Sequence, residues 1–126
     1  TIGGYHNISH HGKDEAKLKQ LAEIEVGQMA LFNELLQGLK DVEETDGTLL
    51  DNTMLLYGCH MGDANIHNNK NLPVILAGGG FKHGQHLAFN EDNNAPLANL
   101  YVSMLENMGL DKSKFASSTG TITGLS

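Results

Sequence analysis

The chain has 126 residues, with eight Lys and Arg against fifteen Asp and Glu, a formal charge of −7 and one cysteine, Cys59. That length suits a single domain with a core of its own, the acidic balance excludes non-specific binding to nucleic acid or an anionic membrane surface, and a lone cysteine excludes an intrachain disulfide. No apolar run approaches the roughly 18 residues of a membrane span, and residues 1–5 do not begin a signal peptide. A chain that starts with Thr and runs at once into a histidine cluster reads as a single domain over 1–126 that is the C-terminal fragment of a longer protein.

The first feature is Tyr5-His6-Asn7-Ile8-Ser9-His10-His11-Gly12, which holds three of the seven histidines within six residues. Neutral imidazole is a common metal ligand, and His6 and His10 are four positions apart, one helical turn. The bland alternative is a solvated His-rich turn or a tag remnant, although a tag would be a longer uninterrupted run. From Glu15 to about Glu44, Leu18, Leu21, Ile24, Met29, Phe32, Leu35, Leu36, Leu39 and Val42 recur at threes and fours, the pattern of a long amphipathic helix. Asp14 is its expected N-cap, with Lys17 standing where a capping box wants Glu or Gln. Gly27 weakens its middle, and the Thr45-Asp46-Gly47 turn ends it.

Thr53-Met54-Leu55-Leu56-Tyr57 and Pro73-Val74-Ile75-Leu76-Ala77 are short apolar runs left through glycine, and both read as strands. Neither alternates, the pattern of strands covered on both faces in a mainly parallel sheet. In such a sheet functional groups gather in the loops leaving the strands. The two loops here carry Cys59, His60, Asp63 and His67, then His83 and His86. Pro96 opens a second helix running to about Met108, with Gly109 closing it. The Ser, Thr and Gly rich tail from Ser117 to Gly124 reads as an edge piece or a loose end.

Three groups of candidate ligands result: His6, His10 and His11; Cys59, His60, Asp63 and His67; His83 and His86. A hydrolytic metal centre needs three or four such groups from separate loops and one open position. Against that, His83 and His86 suit a solvated turn, Asp63 suits an Asx-turn, and Cys59 suits a packed thiol with nothing nearby to lower its pKa. Gly78-Gly79-Gly80 has neither the spacing of a dinucleotide fingerprint nor the Lys-Ser/Thr ending of a P-loop. Ser9 lacks the G-x-S-x-G setting of a hydrolase nucleophile.

The ordered set His6-x-x-Ser9-His10-His11, Asp46-Gly47-Thr48-Leu49-Leu50-Asp51, Gly58-x-x-Met61-Gly62-Asp63-x-Asn65-x-His67, Leu72-Pro73-Val74-x-Leu76-Ala77-Gly78 and Pro96-Leu97-Ala98-Asn99-Leu100-Tyr101 resembles the C-terminal part of the bacterial HXXSHH family of unknown function. Its members are longer and often carry an export signal, which implies an exported, periplasmic or cell-surface protein. The order of elements is in turn similar to the alkaline phosphatase and sulfatase superfamily. That resemblance implies an α/β three-layer sandwich with a mainly parallel sheet, in partial form.

It also implies a divalent metal, zinc or alternatively manganese, on His6, His10 and His67. His11, His60, Asp63 and His86 are then supporting or alternative ligands, and the substrate is a small anionic phosphate or sulfate ester. Cys59 departs from the pattern by standing where a second metal's Asp belongs, and the superfamily's nucleophile lies upstream of this chain. The rival readings are an exported binding or structural domain with a degenerate site, and a zinc clamp closed by a fourth ligand. A homodimer that covers exposed sheet edges completes the expectations.

Overall fold

In the computed structural model, which describes residues 4–111 and 113–125, the chain opens with the short helix α1 (Tyr5–Ser9) and the long helix α2 (Glu15–Lys40). Two small strands follow, β1 (Glu43–Glu44) and β2 (Gly47–Thr48), then β3 (Met54–Gly58), a single 3₁₀ turn at Ala64–Ile66, β4 (Val74–Gly78) and α3 (Leu97–Asn107). The threefold and fourfold apolar spacing thus becomes α2, which stops short of Glu44 because the chain reverses at Gly47 to pair Glu43 with Thr48 and Glu44 with Gly47. Asp14 is its N-cap, its Oδ1 accepting from the Lys17 N–H at 2.9 Å. Pro96 is the N-cap of α3 rather than its first residue. Among the described residues no helix is long and apolar enough to cross a membrane.

The expected three-layer sandwich with a mainly parallel sheet of alkaline phosphatase type is overturned. Both sheets are two-stranded and antiparallel, and β3 pairs with β4 from Met54 opposite Gly78 to Gly58 opposite Val74. The connection explains the direction. Parallel neighbours need a crossover, usually a helix, whereas residues 59–73 hold only one 3₁₀ turn and fold back on themselves. The two runs also lack double coverage, since Leu56 and Ile75 both remain exposed. Strand pleating sets these two residues on opposite faces of the pair.

The buried centre belongs to α3. Among the described residues the buried apolar side chains are Ile8, Ala98, Leu100 and Val102, Val102 most deeply at 1 % exposure. Asn99 and Ser103, also buried on α3, hold the C-terminal tail. The Thr119 N–H donates to Asn99 Oδ1 at 2.8 Å, Asn99 Nδ2 donates to Thr119 Oγ1 at 3.2 Å, and the Ile122 N–H donates to Ser103 Oγ at 2.9 Å. The tail is therefore neither an edge strand nor a loose end. By contrast α2 has no buried residue, and it meets the sheet through Phe32, whose ring lies 5.1 Å from that of Tyr57. The Tyr57 hydroxyl also donates to Gln28 Oε1 at 3.3 Å.

At the exit of β4 the backbone turns sharply. Gly78 has a φ of +72°, and a side chain there would collide with the carbonyl oxygens of Thr53 and Leu50, so only glycine fits. Asn107, at the end of α3, anchors the same corner by donating from Nδ2 to the Gly79 carbonyl at 2.7 Å.

A candidate metal centre between the first helix and the strand loop

The histidine cluster is held in shape by its own backbone. Ser9 Oγ donates to the His6 carbonyl at 2.8 Å, and the His10 N–H returns to the same carbonyl at 3.3 Å, closing α1 as a single turn with His10 as its C-cap. Lys17 finishes that end. Its Nζ donates to the carbonyls of Asn7 at 3.3 Å and His10 at 3.2 Å, placing a cation where a helix leaves its carbonyls unpaired. The residue that breaks the capping box of α2 thus serves α1.

On the other side of the site the loop after β3 is a closed turn. The Gly62 and Asp63 N–H groups donate to the Asn68 carbonyl at 2.8 and 3.2 Å, and the Asn68 N–H donates back to the Asp63 carbonyl at 2.9 Å. Asp63 Oδ1 caps the 3₁₀ turn by accepting from the Asn65 N–H at 2.9 Å. That leaves His67 at the turn's end in the left-handed region, with a φ of +54°. Asn65 ties this loop to the start of α2: its Oδ1 accepts the Gly12 N–H at 2.7 Å.

The result is a row of three imidazoles. The His6 and His10 ring centres are 4.7 Å apart and set edge to face at 78°, and those of His10 and His67 are also 4.7 Å apart, tilted by 60°. Two imidazoles sharing one tetrahedral zinc at ~2.0 Å from each nitrogen put their ring centres about 5 Å apart, so the spacing suits a shared ion. Among the described residues no group of three or more His, Cys, Asp or Glu side chains is arranged to hold a metal ion. His6 and His67 are exposed and His10 is half-buried.

The supporting residues divide. His11 is engaged locally, its Nδ1 accepting the Lys13 N–H at 3.1 Å. Asp63 is engaged as the cap of the 3₁₀ turn. His60 is exposed beside Cys59, itself an exposed free thiol and not a packed one. His86 lies exposed in the loop after β4, while His83 Nε2 stands 2.9 Å from the Gly78 carbonyl. Next to the row, burial raises the pKa of the Tyr5 phenol, and Glu25, Cys59 and Tyr57 push it the same way. Two shallow concavities lie along α3, one beside Ser103 and Asn107 and the other between Asp51, Met54 and Asn107, and neither is lined by a histidine.

Two positioning residues escape a reading of ligand types alone. Asn65 falls inside the Gly62-Asp63-x-Asn65-x-His67 run, so its place in the motif was a signal. Lys17 gave one only as the wrong residue for a capping box. Compared with known proteins, the chain matches no family model, no curated protein and no solved structure, and the family resemblance rests on the motif residues alone.

Proposed function

We propose that His6, His10 and His67 bind one divalent transition-metal ion, zinc by preference, and that the site serves hydrolysis of a small phosphate or sulfate ester. The observation that carries the reading is the continuous row of three imidazole rings, drawn from two segments about sixty positions apart and spaced at 4.7 Å each. Three neutral nitrogen donors suit a borderline ion such as zinc. A three-histidine set leaves a fourth position open, the mark of a catalytic rather than a closed structural site. The exposure of His6 and His67 keeps that position accessible to an ester.

The chain's own contribution is orientation. Ser9 and Lys17 fix the carbonyl end of α1 so that His6 and His10 project from one turn, and the Asn65 bond to Gly12 brings His67 up to them. When bound, the ion would polarise an ester oxygen and acidify a water molecule.

The test is metal add-back to chelator-treated protein, reading stoichiometry by isothermal titration calorimetry for wild type, His10→Ala and His67→Ala. One zinc per chain is expected for the wild type, with affinity lowered at least a hundredfold in each variant. Absence of binding, or equal binding by all three, would overturn the metal site. Binding without turnover of p-nitrophenyl phosphate or sulfate would leave the ion and remove the hydrolase.

A further inference from the structure

The accessible surface of this 13.6 kDa chain is 8886 Å², whereas a compact monomer of that mass exposes about 6,600 Å², an excess of roughly 2,300 Å². Part of the exposed apolar surface lies on α2, a 26-residue helix with no buried residue. Leu31 is 66 % exposed and Leu35 49 % exposed. With Ile24 before them, they recur at intervals of seven and four, one stripe along the helix in the register that packs helix against helix. Gln28, which falls between Ile24 and Leu31, is turned aside to the Tyr57 hydroxyl.

We infer that this stripe is the interface of a homodimer, in which α2 packs antiparallel against α2 of a second copy. The available area decides the occupant: a standard interface takes about 800 Å² from each partner, well within the excess that one chain carries. A two-fold arrangement is self-complementary, because contacts made from one copy are returned by the other. Centred between Leu31 and Leu35, it sets Leu31 of each copy against Leu35 of the other. Gly38 on the same side has open space in front of its Cα, so the two backbones can approach closely there. Antiparallel alignment also places each helix start beside the other's end, the favourable arrangement of the two dipoles. The inference does not rest on the metal site, which lies at the far end of α2.

Sedimentation velocity on the whole chain tests it, with Leu31→Glu/Leu35→Glu as the disrupting variant and Val26→Glu as the control. Val26 is 70 % exposed and lies about 140° around the helix from Leu31. The expected result is a concentration-independent dimer for wild type and Val26→Glu in the micromolar range, and a monomer for the double variant with unchanged helical circular dichroism. Should the double variant lose helicity, Leu31→Ala is read instead, with at least a tenfold rise in the dimer dissociation constant expected. A monomeric wild type, a dimer indifferent to both Leu31 substitutions, or equal disruption by Val26→Glu overturns the inference.

Discussion

Gly12 and Asn65, 53 positions apart, are joined by a 2.7 Å hydrogen bond from the Gly12 N–H to Asn65 Oδ1. This bond links the turn that leaves His10 to the loop that presents His67. Replacing Asn65 by Ala removes the acceptor and is expected to lower stability by about 1 kcal/mol, the usual net worth of one hydrogen bond. The larger effect falls on the site, where loss of the tether is expected to weaken zinc binding at least tenfold. Urea denaturation and calorimetric titration of the same variant read the two effects. Unchanged zinc affinity in Asn65→Ala would refute a positioning role for the bond.

His67 sits at a positive φ of 54°, a conformation that costs a side-chain-bearing residue free energy and glycine almost none. His67→Gly is therefore expected to be more stable than His67→Ala by ~1 kcal/mol, while both lose the zinc ligand equally. A denaturation midpoint for Gly at or below that for Ala would show that the turn is not strained there.

Asp51 anchors the turn after β2. The Thr48 N–H and hydroxyl both donate to its Oδ2 at 2.8 Å, and these bonds, the backbone one foremost, lower its carboxyl pKa below the ordinary value. Because the folded pKa is the lower one, the stabilisation is present above the unfolded pKa and is lost as pH falls through the folded value. Asp51→Asn should thus be less stable than wild type at pH 7. The gap should close as the solution is acidified below about pH 4, where the unfolded carboxylate begins to protonate. Urea midpoints for both proteins across that range check the sign, and a gap that widens in acid would contradict it.

Asn99 is buried on α3 and exchanges two hydrogen bonds with Thr119. Asn99→Ala strips the partner from the Thr119 N–H in a part-buried place and is expected to cost about 1–3 kcal/mol. Thr119→Ala, which leaves that N–H without altering its acceptor, should cost less. Thermal unfolding of the two variants ranks them.

The parts of the fold that were legible in the chain are those set by neighbours in sequence. The apolar spacing from Leu18 to Leu39 marks α2 because side chains three and four apart share a face, and the glycines after Tyr57 and Ala77 mark the strand exits. The direction of strand pairing was not legible, because it depends on how residues 59–73 travel and those residues carry no strong helical period. The apolar composition of the two strand runs suggested double coverage, yet these runs form a two-stranded sheet with Leu56 and Ile75 exposed. At the site, the residue types and the turn spacing of His6 and His10 were visible. The Asn65 to Gly12 bond was not, since a side chain meeting a distant backbone N–H leaves no periodic trace.

The hydrogen bonds from Asn99 and Ser103 to the tail bear on how the protein opens. Residues 117–125 have no regular secondary structure, yet the tail also ties back to the loop after β4, where the Lys82 N–H donates to the Leu125 carbonyl at 2.9 Å and Gln85 donates to the Gly124 carbonyl. Amides such as those of Thr119 and Ile122 should therefore exchange with solvent in step with α3, as one cooperative unit, rather than at the rate of a frayed terminus. A segment with the composition of a linker behaves as a clasp: a protease that nicks it would release α3 and the β4 exit together.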